Sequence, residues 1–460
     1  MTKLVPQPWM ESGPTQRILR ALGSPQVDVR FVGGCVRDAI VRPEAASADY
    51  IDMGVDIDIG TPDVPTRVVE RLEAAGIKAI PTGIDHGTIT AVVDGMLFEI
   101  TTLRRDTACD GRHAVVEFST DWHEDARRRD FTMNAISMRP DGMLFDDHGG
   151  VEDAKAGRLR FVGAAEDRIR EDYLRILRLF RFFASYGRAP IESTTLEACR
   201  KYASHIPQLS AERIYGELYR TLAAPDPTPA VNLMIAFDVL PQVLPTAADP
   251  ALLTSLVEIE DARPRVADFA NSKTWDEKAQ DPAFIALIRD MPRRATKYGR
   301  DALLRLAALL PHEHVKEAAD RLKVSNDDRA RLLALTDASP RLAYDMDRRA
   351  LDAALYHFGG VTVIDRALLA WAAERVRGFN HDDGWRKLLE TAEEWLVAPA
   401  AFPLRGGDVL ALGVTPGPRV GELLRAVEDW WIAAGFKPLR DEALKKLKDL
   451  AQKNDGLAGE

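Results

Sequence analysis

Two patterns of apolar residues divide the chain near residue 150. Between residues 27 and 150, short alternating or β-branched runs, VDVRFVG, VDIDIG, TITAVVD and MLFEITTL, are interleaved with helical stretches such as TRVVERLEAAG. Alternation with a period of two is typical of strands, so this part is predicted to be a small α/β domain. After Gly149 and Gly150 the apolar residues recur at helical spacing. The remainder is therefore predicted to be mostly helical.

The clearest helical segment is EDRIREDYLRILRLFRFFASYG, residues 166–187. It is predicted to be one amphipathic helix whose apolar stripe contains Ile169, Tyr173, Ile176, Leu177, Phe180 and Phe183. Pro- and Ala-rich segments at 224–230, 243–250 and 397–404 are predicted to separate groups of helices. With 460 residues, the chain is long enough for three or four domains.

Composition limits the function classes. No apolar run approaches the roughly 18 residues of a membrane span, and the N-terminus lacks the features of a secretory signal. The three cysteines show no metal-binding spacing, so we expect a protein of the reducing cytoplasm without a membrane partner. The net charge of −10 argues against a broad nucleic-acid-binding surface. Arginines concentrate between residues 104 and 220, which leaves local basic surfaces possible.

Two carboxylates alternate with apolar residues in VDIDIG. In a strand, Asp56 and Asp58 share one face and lie a few ångströms apart. Like charges this close are most easily held by a divalent cation, and Mg²⁺ prefers carboxylate and phosphate oxygens. Taken alone, the motif is more often a solvated strand edge. Glu99, on a later alternating strand, is either a third carboxylate beside the pair or a surface residue.

A glycine turn precedes these carboxylates. Gly33 and Gly34 follow the strand VDVRFV and precede a helix that carries Arg37 and Asp38, with a start predicted near Val36. Backbone amides at such a turn, together with the helix dipole, can hold a triphosphate. The order of strand, glycine pair, helix and carboxylate strand is far more specific than any one part. It predicts a nucleotidyl-transfer site.

An arginine cluster follows in DARRRDFTMNA, where Asp125, Arg128, Arg129 and Asp130 precede a predicted apolar helix. Arginine forks suit bidentate contacts with phosphate or with a base edge, so this cluster is predicted to bind the nucleotide. A charge run is more often a solvated surface, but the apolar residues that follow draw the segment against a core.

A third group lies in EDYLR, residues 171–175. In a continuous helix Asp172 and Arg175 share a face, and Glu171 and Arg175 form an i,i+4 pair; ordinary ion pairing explains this spacing too. Cytosine and adenine each present an amino donor beside a ring-nitrogen acceptor, whereas uracil and guanine present a carbonyl beside an N–H. An Asp acceptor and an Arg donor would therefore select C and A, because a wrong base leaves buried groups unpaired.

Taken in order, these motifs resemble the class II tRNA nucleotidyltransferase and poly(A) polymerase family, and are most similar to bacterial CCA-adding enzymes. The match extends from about residue 27 to 220 and includes TTLRRDTACDGRH, similar to the family's flexible loop, and AERIYGEL, similar to the segment that supports the base-selecting residues. The resemblance implies an α/β nucleotidyltransferase head with a mixed sheet, followed by all-helical neck, body and tail domains. The boundaries predicted are 1–150, 151–222, 223–335 and 336–460.

The resemblance implies CCA addition to the 3′ end of tRNA from CTP and ATP, with Mg²⁺ as cofactor and the acceptor arm held by the tail. Asp56 and Asp58 would hold the metal, Gly33, Gly34, Arg37, Arg128, Arg129 and Asp130 the nucleotide, and Asp172 and Arg175 the base. The supporting residues predicted are Glu99, Arg104, Asp125, Asn134, Arg178 and Arg181. Poly(A) synthesis, addition of only C or only A, and a non-catalytic RNA-binding module on the same fold remain alternatives.

Overall fold

A computed structural model describes residues 3–42, 57–109, 114–244, 249–262, 300–337, 339 and 341–455. The carboxylate Asp56 and part of the predicted flexible loop, residues 110–113, lie outside the described residues. The described residues divide into two compact units. One contains residues 3–244, 300–302 and 317–324, and the other contains 249–262, 303–316 and 325–455 within the described ranges.

The first part of the chain contains nine strands among its described residues. They are β1 Arg30–Val32, β2 Ile57–Thr61, β3 Lys78–Gly83, β4 Thr88–Val93, β5 Met96–Thr102, β6 Arg104–Cys109, β7 Ala114–Phe118, β8 Ser137–Met138 and β9 Leu144–Phe145. Seven form one sheet in the order β3-β4-β5-β2-β1-β8-β9, and β6 pairs with β7 in a separate hairpin. β2 runs parallel to β5, and the other pairs of the sheet are antiparallel. The sheet is therefore mixed, as the sequence predicts.

Helices of the first unit cover and extend this sheet. They are α1 Pro8–Glu11, α2 Gly13–Ala21, α3 Gly34–Val41, α4 Pro65–Ala74, α5 Trp122–Arg127, α6 Gly150–Ala156, α7 Ala165–Glu171, α8 Leu174–Tyr186, α9 Ser193–Tyr202, α10 Ala211–Leu222 and α11 Thr228–Ala236. α8 packs against α10 and α11, and α7 packs against α9. The alternating sequence gives β2 two different faces. Ile57 and Ile59 are almost fully buried on one face, while Asp58 between them is only partly buried.

The rest of the described chain is largely helical. Its helices are α12 Ala251–Ala262, α13 Ala302–Leu309, α14 Val315–Leu322, α15 Asn326–Thr336, α16 Arg348–Phe358, α17 Gly360–Val376, α18 Asp382–Val397, α19 Gly406–Leu410, α20 Pro418–Ala433 and α21 Arg440–Asp455. α12 packs against α17, and a separate apolar core joins α19, α20 and α21. In the described part of the chain, no helix is both long and apolar enough to cross a bilayer. The predicted head and neck lie in one unit, and the bounds of the four predicted domains stay predictions.

Two local expectations are wrong. Residues 166–187 are not one helix, because Asp172 adopts an extended backbone, φ −155° and ψ 107°, between α7 and α8. The arginine cluster is followed by a 3₁₀ turn at Thr132–Asn134 and then by β8 rather than by an apolar α-helix. In both places a side chain is held by an arginine more than 40 positions away, Asp172 by Arg213 and Asp130 by Arg178.

Candidate active site

The glycine turn joins β1 to α3. Gly33 has φ +71° and ψ −130°, a backbone conformation that is nearly restricted to glycine. A Cβ atom built on Gly33 would lie 3.1 Å from Asp58 Oδ2 and 3.7 Å from Arg129 Nη1. The turn therefore brings the N-terminus of α3 beside a carboxylate of β2 and beside Arg129 of the RRD segment, residues 128–130. α3 begins at Gly34, two residues before the predicted start.

The carboxylates meet through strand register. Asp58 of β2 pairs in register with Glu99 of the parallel strand β5, and with Val32 of β1 on the other side. Side chains at paired positions project from the same face of a sheet, so Asp58 and Glu99 are neighbours on the face beside Gly33. Asp58 is half-buried and Glu99 is exposed. Glu99 thus lies where the sequence predicted a third carboxylate, although its role stays a prediction.

These carboxylates suit a hard divalent cation. Two acidic side chains on adjacent strands, next to a helix N-terminus that favours phosphate, supply the ligands that Mg²⁺ prefers. Among the described residues no group of three Asp, Glu, His or Cys side chains is arranged to hold a metal. Asp56, the other predicted ligand, lies outside those residues. The Mg²⁺ site therefore stays a prediction, and the position of Asp58 agrees with it.

The RRD segment is held by one buried carboxylate. Asp125 on α5 accepts from Arg128 through Oδ1, at 2.8 and 2.6 Å, and from Arg129 through Oδ2, at 3.1 and 3.0 Å. Burial raises the pKa of Asp125, but the positive charges of Arg129 and Arg128 outweigh it and lower the pKa below its ordinary value. Asp125 therefore stays ionised and orients both guanidinium groups, whose side chains are less than one-fifth exposed.

Asp130, the third residue of the RRD segment, is bonded to α8 of the predicted neck. It is buried and accepts from the Asn134 amide at 3.0 Å, from the Phe131 backbone N–H at 2.8 Å and from Arg178 Nε at 2.7 Å. Burial opposes ionisation, but the charge of Arg178 and these hydrogen bonds hold the pKa of Asp130 below its ordinary value. Asp130 thus joins the head to α8. Direct contact between Asp130 and a nucleotide stays a prediction.

Arg37 is buried behind the glycine turn. Its guanidinium donates to Asn134 Oδ1 at 2.8 Å, to Asp38 Oδ1 at 3.0 and 3.1 Å, and to the Tyr186 hydroxyl at 2.7 Å. The ring of Tyr186 also lies 4.2 Å from the guanidinium carbon. These contacts tie α3 to the end of α8 and give Arg37 a positioning role. Its predicted contact with triphosphate stays a prediction.

The two residues predicted to select the base are oriented by different partners. Asp172 accepts from Arg213 Nη2 of α10 at 2.6 Å and from the Leu174 backbone N–H at 3.1 Å. Arg175 Nη1 donates to Glu171 Oε2 at 2.5 Å, the i,i+4 pair that the spacing predicted. Asp172 lies at the break between α7 and α8, so the shared helical face predicted for Asp172 and Arg175 does not exist.

A buried glutamate organises the remaining supporting arginines. Glu217 of α10 is 3% exposed and lies 3.1 Å from Arg181 Nε and 3.8 Å from Arg178 Nη1. Burial, together with the neighbouring charge of Arg178, lowers the pKa of Arg181 to about 10 despite the attraction of Glu217. Arg104, at the base of the β6–β7 hairpin, donates to the His86 carbonyl.

Several of these partners carried no assigned role at the sequence level. Arg213 and Glu217 lie within AERIYGEL, which pointed to a supporting segment without naming them. Tyr186 gave no local signal, because its contact with Arg37 spans 149 positions. Arg168, discussed below, likewise acts on residues about 40 positions away. Only tertiary packing brings such pairs together.

Comparison with known proteins agrees with this geometry. Residues 29–160 match the Poly A polymerase head domain family, and residues 190–249 match the family described as probable RNA and SrmB-binding site of polymerase A. The fold and these matches define a nucleotidyltransferase of the poly(A) polymerase head type.

Matches to individual proteins define a narrower family. The chain is 34% identical over 431 residues to the Homo sapiens protein CCA tRNA nucleotidyltransferase 1, mitochondrial, covering 92% of this chain and 86% of that one. It is 38% identical over 230 residues to a Streptococcus pyogenes CCA-adding enzyme, covering 49% of this chain and 54% of that one. This chain belongs to the CCA tRNA nucleotidyltransferase family.

A solved structure supports the fold independently. The Bacillus stearothermophilus CCA-adding enzyme in complex with CTP matches with a TM-score of 0.63 at 23% identity, covering 97% of this chain and 99% of that one. The predicted fold class, an α/β head followed by helical domains, is confirmed, and so is the resemblance drawn from the motifs.

Proposed function

We propose that this protein adds CMP and AMP from CTP and ATP to the 3′ end of tRNA without a nucleic-acid template, and releases pyrophosphate at each addition. The observation that carries the proposal is the juxtaposition of Asp58, Glu99 and the Gly33 turn on one sheet face. Family membership supports it, since the 34% identical relative spans nearly the whole chain. This activity would synthesise and repair the CCA end of tRNA.

Each part of the site has a distinct task in this scheme. Asp58, together with Asp56, would hold Mg²⁺, which when bound supplies activation of the 3′ hydroxyl and neutralises charge on the leaving group. The backbone amides at Gly33 and Gly34 bind the triphosphate, and the α3 dipole favours its negative charge. Arg128 and Arg129, each bound to one carboxylate oxygen of Asp125, contact phosphate and ribose.

Base selection follows from the two oriented residues of the neck. Arg213 orients Asp172, which accepts from the amino group of cytosine or adenine, while Arg175 donates to the adjacent ring nitrogen. Uracil and guanine present the opposite pattern, so neither the Asp172 carboxylate nor the Arg175 guanidinium can form its hydrogen bond to the base. A hydrogen bond to a charged group contributes about 1.5–3 kcal/mol, so the loss of two discriminates by roughly 10² or more.

The substrates are thus CTP, ATP and the tRNA 3′ end, with the acceptor arm held by the predicted tail. Cytoplasmic location is part of the proposal and rests on sequence features alone. A relative from Homo sapiens is named as mitochondrial, so family membership does not select the compartment.

The proposal is tested with purified protein, Mg²⁺ and tRNA that lacks its 3′ terminus, given CTP, ATP or both, on a gel of single-nucleotide resolution. We expect two additions with CTP alone and one further A when both are present. Asp58→Asn removes one negative charge from the site at nearly constant volume and is expected to abolish addition. A long ladder with ATP alone would identify a poly(A) polymerase, and additions that stop after C or require a CC end would identify a single-base enzyme. No addition by the unmodified protein would overturn catalysis.

A further inference from the structure

Arg168 lies between the RRD segment of the head and the base-selecting segment of the neck. It is on α7, and its side chain is only 11% exposed. Nη2 donates to the backbone carbonyl oxygens of Arg128, at 2.5 Å, and Arg129, at 2.8 Å, while Nη1 donates to Glu171 Oε2 at 2.5 Å. One guanidinium thus contacts both parts of the predicted nucleotide site without belonging to either.

The environment of the Arg128 and Arg129 carbonyls explains why the Arg168 guanidinium binds there. Arg128 is the C-terminal cap of α5, and the last carbonyls of a helix have no intrahelical partners and carry partial negative charge. Through the two N–H bonds of Nη2, Arg168 satisfies the carbonyl of this cap and that of Arg129, the residue after it. The side chains of Arg128 and Arg129 are meanwhile held by Asp125, so the segment is fixed from both sides.

Arg175 is joined to the same contacts. Its Nη1 donates to the backbone carbonyl of Arg168 at 2.8 Å and shares Glu171 Oε2 with the Arg168 guanidinium, while its Nη2 lies 3.3 Å from the Arg128 carbonyl. The base-selecting arginine and the RRD segment are therefore connected through Arg168 and Glu171. Displacing Arg168 would loosen both together.

We propose that Arg168 is a positioning residue that sets the spacing between the triphosphate-binding and base-selecting parts of the site. The inference rests on the proposed function and deepens it. A nucleotide must contact the RRD arginines and the Asp172–Arg175 pair at the same time, and small errors in such spacing are costly because the reacting groups must be aligned. Loss of Arg168 weakens CTP and ATP binding together and reduces rejection of UTP.

The test compares Arg168→Ala and Arg168→Lys with Arg170→Ala. Arg170 is on the same helix, but its side chain is 56% exposed and pairs with Asp167, so its loss is a matched control for removing an arginine from α7. For each variant, kcat and KM are measured with CTP and with ATP, UMP misincorporation is measured by gel, and folding is checked by thermal unfolding.

For Arg168→Ala we expect kcat/KM for both correct nucleotides to fall about tenfold or more, chiefly through KM, because hydrogen bonds to charged groups are lost. Preference for CTP over UTP is expected to fall by a similar factor. Arg168→Lys should recover part of each, since it keeps the charge, but one ammonium nitrogen cannot replace both Nη1 and Nη2. Arg170→Ala should match the unmodified protein.

Equal KM values and equal discrimination in Arg168→Ala and Arg170→Ala would overturn the proposal. If Arg168→Ala does not fold, Arg168→Lys decides, and values matching the unmodified protein would again overturn it. A fall in kcat without any change in KM or discrimination would also contradict a positioning role. Failure of the proposed function looks different, because the unmodified protein would then add no CCA.

Discussion

Substitution of Gly33 by alanine tests how closely the glycine turn approaches Asp58. The φ of +71° and ψ of −130° at Gly33 cost a residue with a Cβ about 1–3 kcal/mol in folding stability. The new Cβ would also lie 3.1 Å from Asp58 Oδ2, so the carboxylate must move by a few tenths of an ångström. If Asp58 holds the catalytic metal, this displacement slows nucleotide addition by roughly tenfold to hundredfold, because misplacement by 1 Å can cost about 10²-fold.

Gly76 provides the matched control. It has a similar φ of +66°, is exposed after the end of α4, and a Cβ built there meets nothing within 4 Å. Gly76→Ala therefore carries a backbone cost of about 1–2 kcal/mol without touching the site. The assay combines the urea midpoint of unfolding with the rate of single CMP addition. We expect both variants to lose stability and only Gly33→Ala to lose rate. Equal rates in the two variants would refute the reasoning that links Gly33 to Asp58.

Three further predictions concern charge and burial. The pKa of Asp130 is lowered in the folded state, so the stability it contributes is full above about pH 4, the ordinary Asp value, and is lost as pH falls through the lower folded-state pKa; the urea midpoint of Asp130→Asn should be lower than that of the unmodified protein at pH 6, and the difference should shrink toward pH 3. A constant difference would contradict this. Arg175→Ala is expected to reduce rejection of UTP and GTP about tenfold or more, measured by misincorporation on single-nucleotide gels; unchanged selection would mean that Arg175 does not read the base. Burial raises the pKa of the Cys35 and Cys199 thiols to about 12, so neither should react with iodoacetamide at pH 8 until the protein unfolds. Labelling of the native protein at the rate of the unfolded chain would show that these thiols are accessible.

Much of the head was predictable because its signals are local. Alternation of Ile57, Asp58 and Ile59 predicts a strand with one apolar face, and the structure has that strand and that face. Gly33 and Gly34 predict a turn before a helix for an equally local reason, namely the freedom of glycine to adopt positive φ. The Glu171–Arg175 ion pair needs only helical spacing across one turn and is present despite the helix break.

The helix break at Asp172 was not predictable from spacing. The segment has continuous amphipathic periodicity, yet Asp172 leaves the helix and is held by Arg213 from a helix that lies 41 positions further along the chain. The 3₁₀ turn after the RRD segment has the same kind of cause, because Asn134 and Phe131 are bonded to Asp130, which is itself held by Arg178. Periodicity reports the local chain, whereas these bonds depend on which distant helices pack nearby.

The sequence by itself determined the family, the mixed α/β head, the helical remainder and the set of charged residues from which a nucleotidyl-transfer site is built. Only the tertiary structure decided which of those charges meet: Asp58 lies beside Glu99 through strand register, and Arg168 reaches the Arg128 and Arg129 carbonyls across about 40 positions. The physical reason is range. Strand alternation, turn chemistry and helical pairing act over a few residues, but the orientation of a buried charge depends on every element packed around it.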